Sequence, residues 1–150
     1  MRIEPARPSD AARLATIMGD WVRETAWMPV VHTRDQDLAH CQALIARFTV
    51  TVGRAFGRAQ GFLARDGAMV LALYLAPKAR RRGLGRRLLD HARQQTGRLE
   101  LWCFAANTDA LRFYAHLGLV EVERTDGAGN DEKLPDIRLI WPPSADKEAP

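Results

Sequence analysis

An unbroken apolar segment that passes into a basic, glycine-containing turn constrains the fold of this chain most. Residues 69–76 read Met-Val-Leu-Ala-Leu-Tyr-Leu-Ala, and residues 78–89 read Lys-Ala-Arg-Arg-Arg-Gly-Leu-Gly-Arg-Arg-Leu-Leu. A short run that is apolar at both odd and even positions is typical of a central strand covered on both faces. The leucines that follow recur at helical spacing, so the pattern predicts a strand, a turn and a helix in succession. Free N–H groups and the helix dipole favour anions at a helix start, which indicates a phosphorylated ligand.

The positive charge of the chain is concentrated in this turn. Its six cations, with no acid among them, are Lys78, Arg80, Arg81, Arg82, Arg86 and Arg87. The 150 residues carry a net charge of +4, so the rest of the chain is at −2. A nucleic-acid-binding surface would spread its cations along a face, whereas one focus suits a compact polyanion. We expect two or three of these arginines, Arg80 and Arg87 first, to be solvated helix surface.

Length and composition predict one domain over residues 1–141, followed by a flexible tail at 142–150. No apolar window approaches the roughly 18 residues of a membrane span, and the N-terminus lacks an apolar signal region. We therefore expect a cytoplasmic protein with no membrane partner. Cys41 and Cys103 form no CxxC pair, so we expect free, buried thiols and no metal site.

The hydrophobic pattern predicts an α+β fold. Its order is a strand, two helices, a meander of three strands, a helix, a strand, a short helix and two final strands. Residues 53–57 are predicted to form the first turn of the meander. On the apolar strand, Met69, Leu71, Leu73 and Leu75 are predicted to share one face. A long acidic, glycine-rich loop separates the last two strands.

Two motifs lie on these elements. Arg80-x-x-Gly83-x-Gly85 precedes the long helix, and Asn107-x-x-Ala110-x-x-Phe113-Tyr114-x-x-x-Gly118-Leu119 covers the short helix. Together they resemble the Q/R-x-x-G-x-G/A and N-x-x-A-x-x-F-Y-x-x-x-G-F signatures of the GNAT superfamily of N-acetyltransferases, with Leu119 in place of the last Phe. The resemblance covers residues 3–141. It implies a twisted, mostly antiparallel mixed sheet of six or seven strands with about four helices, splayed at the central strands.

The resemblance also implies acetyl-CoA as co-substrate, without a metal. The turn would hold the pyrophosphate, and the central strand would pair with the pantetheine arm. The cofactor-binding residues that it implies are Leu73, Tyr74, Leu75, Arg80, Arg81, Arg82, Gly83, Leu84, Gly85, Arg86, Asn107 and Tyr114. Asn107 is equally well placed as a helix N-cap, and both roles stay open here.

Acetyl transfer to an amine needs a proton acceptor for the amine and a proton donor for the departing thiolate. Tyr114 matches the family's general acid, with a half-buried core aromatic as the alternative. Many members carry a carboxylate on the central strand, but residues 69–75 have none. The candidates for the base are therefore Glu100 on the next strand, His32 between the first two helices, and water.

The expected acceptor is a primary amine of a small molecule or a peptide. Trp21, Trp27, Met28 and His32 near the first two helices, with Asp126, Asp131 and Glu132 in the last loop, could give a pocket with aromatic walls and an acidic rim. The alternative is that the tryptophans belong to the core and the acids are solvated. A non-catalytic acyl-CoA sensor is the main alternative function, no nucleic-acid partner is expected, and a homodimer stays open.

Overall fold

The computed structural model describes residues 1–142, in which helices cover both faces of a seven-stranded sheet. The elements are β1 (Arg2–Pro5), α1 (Ala11–Glu24), α2 (Arg34–Arg47), β2 (Thr49–Ala55), β3 (Arg58–Asp66), β4 (Met69–Leu75), α3 (Leu84–Thr96), β5 (Leu99–Phe104), α4 (Thr108–Leu117), β6 (Val120–Thr125) and β7 (Asp136–Trp141). Short 3-10 segments lie at Pro8–Asp10 and Pro77–Ala79. The α+β class and the expected numbers of strands and helices are confirmed. All but the first residue of the predicted tail lies outside the described residues.

The sheet order is β1-β2-β3-β4-β5-β7-β6. Within the described strands, β4 and β5 form the parallel pair and every other neighbouring pair is antiparallel. The apolar strand of the sequence is β4, and it lies centrally between β3 and β5, as predicted. The connection from β4 through α3 to β5 is the long crossover that parallel neighbours require.

The helix ends follow from side chains that the sequence displays. The hydroxyl of Thr33 accepts from the Gln36 amide at 3.1 Å, and the Gln36 side chain accepts from the Thr33 amide at 2.9 Å, which forms a capping box at α2. Gly97 and Gly118 end α3 and α4 with φ angles of 83° and 104°, in the left-handed region that glycine adopts readily.

A separate apolar cluster fills each face of the sheet. The face under α3 and α4 packs large buried side chains, among them Leu63, Leu84, Leu88, Leu89, Leu99, Leu101, Ile137 and Trp141. The face under α1 and α2 packs Leu14, Ile17, Cys41, Leu44, Val52 and Phe62. Cys41 and Cys103 are free and buried, as predicted. Within residues 1–142 no helix is long and apolar enough to cross a membrane.

A bulge in β4 marks the point where the central strands separate. Ala64 of β3 pairs with Ala72, but Arg65 pairs with Val70, so Leu71 is an extra residue. Pairing between β4 and β5 ends at Val70, one residue before the bulge. The predicted alternation of β4 is therefore wrong at Leu71, whose side chain is 43% exposed. The bulge turns the β5-facing edge of residues 71–75 away from its neighbour.

The prediction of a turn over residues 53–57 is also wrong. Strand β2 continues to Ala55, and the turn is confined to Phe56 and Gly57. Gly53 lies inside the strand because the side chain of Leu84 occupies the space where its Cβ would be. Glycine at this position allows α3 to approach the sheet closely, rather than turning the chain.

Candidate active site

A cleft of about 540 Å³ opens where β4 and β5 separate. Residues 70–75 form one wall, residues 101–104 form the opposite wall, and α4 lies across the gap. The turn before α3 closes one end. The cleft brings together most of the predicted cofactor residues, namely Leu73, Tyr74, Leu75, Arg80, Arg81, Gly83, Gly85, Arg86, Asn107 and Tyr114. The described residues that line it do not include Arg82, Leu84, Glu100 or His32.

The turn before α3 has a backbone that few residues adopt. Arg81 has a φ of 61° and Gly83 a φ of 84°, both in the left-handed region. Such conformations are frequent at ligand sites, where the surrounding structure holds them in place. A Cβ at Gly83 would meet no described atom within 4 Å, so the space beside the start of α3 is open to a ligand. Leu84, the next residue, buries its side chain in the core.

Arg80 is held at the cleft with part of its guanidinium unsatisfied. Its Nε donates to the carbonyl of Leu75 at 3.2 Å, and its buried Nη2 has no hydrogen-bond partner among residues 1–142. A buried cationic donor without an acceptor is costly unless an anion completes it. The expectation that Arg80 is solvated surface is therefore wrong. Arg87 is exposed as expected, and its guanidinium donates to the carbonyl of Met1.

Tyr114 is the buried ionisable side chain that α4 contributes to the lining of the cleft. It is 9% exposed and packs against Phe113, with ring centroids 5.4 Å apart. Burial raises its pKa above the ordinary value, and the nearby Cys103 and Tyr74 raise it further. Its hydroxyl makes no hydrogen bond within the described part of the chain. The phenol is therefore protonated at neutral pH and can act as a donor.

The comparisons with known proteins agree with this geometry. The model of the acetyltransferase (GNAT) family matches residues 11–119. The chain belongs to the GNAT family. It is 30% identical over 142 residues to the peptidyl-lysine N-acetyltransferase YiaC of Escherichia coli K12, covering 91% of this chain and 95% of that relative.

Two solved structures show the same fold at low sequence identity. YjaB of Escherichia coli superimposes with a TM-score of 0.79 at 21% identity, covering 95% of this chain and 98% of that one. YncA of Salmonella typhimurium, solved with its cofactor acetyl-CoA, has a TM-score of 0.70 at 22% identity, covering 97% and 98%. The predicted family and the GNAT fold are confirmed. The alternative of a non-catalytic sensor receives no support from these similarities.

As a GNAT acetyltransferase, the protein takes its acetyl group from acetyl-CoA, and the cleft fits this donor. The unpartnered Arg80 nitrogen and the open backbone at Gly83 suit a phosphate. Beyond Val70 the edge of β4 that faces β5 has no strand partner among the described residues. The backbone N–H and C=O groups on that edge can therefore pair with an amide-containing arm. Within residues 1–142 no cluster of His, Cys, Asp or Glu side chains is placed to hold a metal ion.

Asn107 takes one of the two roles that the sequence left open, that of helix cap. Its side-chain oxygen accepts from the Ala110 amide at 3.2 Å and caps α4. The same residue lines the cleft, so its amide nitrogen can donate to a ligand while the oxygen caps the helix. The cap is thus compatible with the second role. Its contact with the cofactor stays a prediction.

The two side chains predicted as bases lie away from the cleft. Glu100 accepts from Arg138 Nη1 at 2.9 Å, and Arg138 also donates to Glu123 at 2.9 Å. His32 is about half exposed, and its Nε2 lies 3.8 Å from Asp131. The carboxylate that does line the cleft is Asp109, which is 82% exposed. The roles of Glu100 and His32 stay predictions.

The sequence prediction missed several lining residues on β5. Trp102, Cys103 and Phe104 contribute to the far wall of the cleft. Burial raises the pKa of the Cys103 thiol to about 12, so this thiol stays protonated. The alternation of β5 was visible in the sequence. The widening that exposes these side chains to the cleft depends on the bulge at Leu71, which has no sequence signal of its own.

Proposed function

We propose that this protein transfers the acetyl group of acetyl-CoA to a primary amine, with Tyr114 as the general acid. The observation that carries the proposal is the position of a buried, protonated phenol in the cleft whose other end is the cationic turn. The acceptor is a peptide or small-molecule amine. The similarity to YiaC, a peptidyl-lysine N-acetyltransferase, favours a lysine side chain.

The reaction forms a C–N and an S–H bond and breaks a C–S and an N–H bond. The neutral amine attacks the thioester carbonyl to give a tetrahedral intermediate, its nitrogen loses a proton to solvent, and the C–S bond then breaks. A backbone N–H on the unpaired, β5-facing edge of β4, near Leu75, would stabilise the oxyanion of that intermediate. The departing sulfur takes its proton from the Tyr114 hydroxyl, which solvent then reprotonates.

The raised pKa of Tyr114 limits how much proton donation from its hydroxyl can accelerate the reaction. A thiol has an ordinary pKa near 8.5, well below that of a buried phenol, so the proton moves only as negative charge develops on sulfur. Burial benefits the reaction because the proton donor lies within a low-dielectric site from which water is excluded. Burial also keeps the phenol protonated over the whole neutral range.

Solvent is the proposed proton acceptor for the amine. Neither Glu100 nor His32 lines the cleft, and Glu100 is paired with Arg138. A primary amine has a small neutral fraction at pH 7, so water can take one proton before attack and a second from the nitrogen after the C–N bond has formed. Glu100→Gln is therefore expected to leave kcat within about twofold of wild type. A fall of two orders of magnitude would instead identify Glu100 as the base.

The test of the proposed function compares wild type with Tyr114→Phe. Thiol release is followed with acetyl-CoA and three acceptors: a lysine peptide, a peptide with only a free N-terminus, and a small aliphatic amine. We expect Tyr114→Phe to lower kcat at least about tenfold, while titration calorimetry gives an unchanged Kd for CoA. Unchanged turnover from pH 6 to 9 would remove Tyr114 from the mechanism, and wild type inactive on all three acceptors would refute the proposal.

A further inference from the structure

One side chain links the cationic end of the cleft to the strand that forms its wall. The Ala79 amide donates to the Ala76 carbonyl at 2.9 Å in the short 3-10 turn after β4, and this turn brings Arg80 back toward the strand. The Arg80 Nε donates to the Leu75 carbonyl at 3.2 Å, and the buried Nη2 of the same guanidinium has no partner among residues 1–142. One planar group therefore has one donor bound to the strand and another donor free for a ligand.

The backbone of Leu75 points into the cleft. The Ala76 amide donates to the Gln60 carbonyl at 2.8 Å, so Ala76 directs its backbone groups toward β3. Successive residues of a strand direct these groups to opposite edges, so the N–H and C=O of Leu75 both point toward β5. Pairing with β5 ends at Val70, which leaves this edge without a strand partner in the described part of the chain. The Arg80 guanidinium occupies the carbonyl, and the N–H is available to a ligand.

The side chain of Leu75 makes a second connection to the turn before α3. It fills the space where a Cβ of Gly61 on β3 would be, and it lies 3.7 Å from where a Cβ of Gly85 would be in the first turn of α3. The end of β4 is thus packed against the helix start that follows the cations. A ligand held at this turn can therefore influence Leu75 through both the guanidinium and the leucine side chain.

Resting on the function proposed above, we propose that Arg80 is a positioning residue that couples phosphate binding to the orientation of the Leu75 N–H. A phosphate oxygen that accepts from Nη2 satisfies the free donor and fixes the plane of the guanidinium, so Nε holds the Leu75 carbonyl more firmly. The guanidinium also covers the negative end of this carbonyl, which lies on the same edge as the N–H that would stabilise the oxyanion. Binding energy from the phosphates of the donor is then used to raise kcat as well as affinity.

The coupling requires a guanidinium at this position. Two donors in one rigid plane can serve the strand and the phosphate at once, whereas a lysine offers one ammonium on a flexible stem. Arg80→Lys therefore keeps the positive charge but does not connect the phosphate to Leu75. Arg82→Lys is the matched control, because Arg82 is exposed and is not among the residues that line the cleft.

The kinetic test uses S-acetylpantetheine, a donor that has the thioester and the arm but no phosphate. The acceptor is an amine that wild type acetylates from acetyl-CoA. Inorganic pyrophosphate is added at constant ionic strength, and kcat is measured at saturating donor. Pyrophosphate is expected to raise kcat at least about fivefold in wild type and in Arg82→Lys, and less than about twofold in Arg80→Lys.

A second measurement needs no acetyl donor. In isotopically labelled wild type, pyrophosphate should move the carbonyl carbon resonance of Leu75 downfield, because the hydrogen bond from Arg80 becomes stronger. The same addition should leave this resonance unchanged in Arg80→Lys, while titration calorimetry shows that pyrophosphate still binds that variant.

Three results would each overturn the inference. Pyrophosphate could leave kcat and the Leu75 resonance of wild type unchanged, it could activate Arg80→Lys as strongly as wild type, or Arg82→Lys could lose the activation to the same extent. A failure of the proposed function gives a different result, because wild type would then acetylate no amine from acetyl-CoA itself.

Discussion

Replacing Arg80 by methionine should weaken coenzyme binding sharply while leaving the fold intact. The guanidinium donates once to the Leu75 carbonyl, and its Nη2 is buried without a partner among residues 1–142. In the free protein this arrangement contributes little to stability, because the unsatisfied donor offsets the hydrogen bond that is made. In the complex a phosphate oxygen would complete the group. The two states therefore respond differently to the same substitution.

The size of the effect follows from one charge-assisted hydrogen bond. Such a bond contributes about 1.5–3 kcal/mol, which corresponds to a rise in the Kd for CoA of roughly 10- to 100-fold. The free energy of unfolding of the unliganded protein should change by less than about 1 kcal/mol, because the methionine retains the apolar stem of the side chain.

Titration calorimetry measures the Kd for CoA, and thermal unfolding without CoA measures the change in the free energy of unfolding. Arg82→Met serves as the control, because Arg82 is exposed and is not among the lining residues. Arg82→Met should raise the Kd for CoA by less than about threefold, because it removes only one exposed positive charge from the electrostatic potential around the turn. Equal losses from the two variants would show that the turn acts only as a diffuse positive patch and would refute the reasoning from the buried nitrogen.

Two further predictions concern the turn and the stability of the fold. Gly83→Ala, at a φ of 84°, should lower the free energy of unfolding by about 1 kcal/mol and raise the Kd for CoA severalfold. Gly57→Ala, at a φ of 73° in a remote hairpin, should cost similar stability in denaturant unfolding without changing that Kd; equal Kd changes would contradict the site assignment. Asp10→Asn should lower the free energy of unfolding by about 2 kcal/mol, because Asp10 accepts two charge-assisted hydrogen bonds, at 2.8 and 3.0 Å, from the Arg54 guanidinium, which keeps its ion pair with Glu4. Since Arg54 lowers the pKa of Asp10 below its ordinary 3.8, this contribution is complete above that value and is lost as pH falls through the folded-state pKa, so chemical denaturation of wild type and variant should converge in acid.

The sequence predicted the elements whose signals are local. The Thr33 capping box, the glycines that end α3 and α4, and the basic turn are all specified within a few residues. The strand that feeds the turn was equally clear from its apolar run. The two family motifs lie on these features, so the predicted cofactor half of the site rests on local sequence signals.

The acceptor half depends on pairings that a sequence does not display. The bulge at Leu71 follows from the register between β3 and β4, and the contacts of Trp27 follow from how the α1–α2 connection meets β5. Glu100 does not line the cleft, and its carboxylate pairs with Arg138, which lies on a strand that is distant in sequence. Of the tryptophans expected either in the core or in the acceptor pocket, Trp21 packs against Trp27 and also lines the cleft.

A crystal structure of the complex with acetyl-CoA tests the central claim most directly. We predict the pyrophosphate on the amides of the turn before α3 with Arg80 Nη2 bonded to a phosphate oxygen, the pantetheine arm along β4 beyond Val70, and the thioester sulfur within about 3.5 Å of the Tyr114 hydroxyl. A thioester that lies outside the gap between β4 and β5, or a sulfur with no contact to Tyr114, would contradict the account.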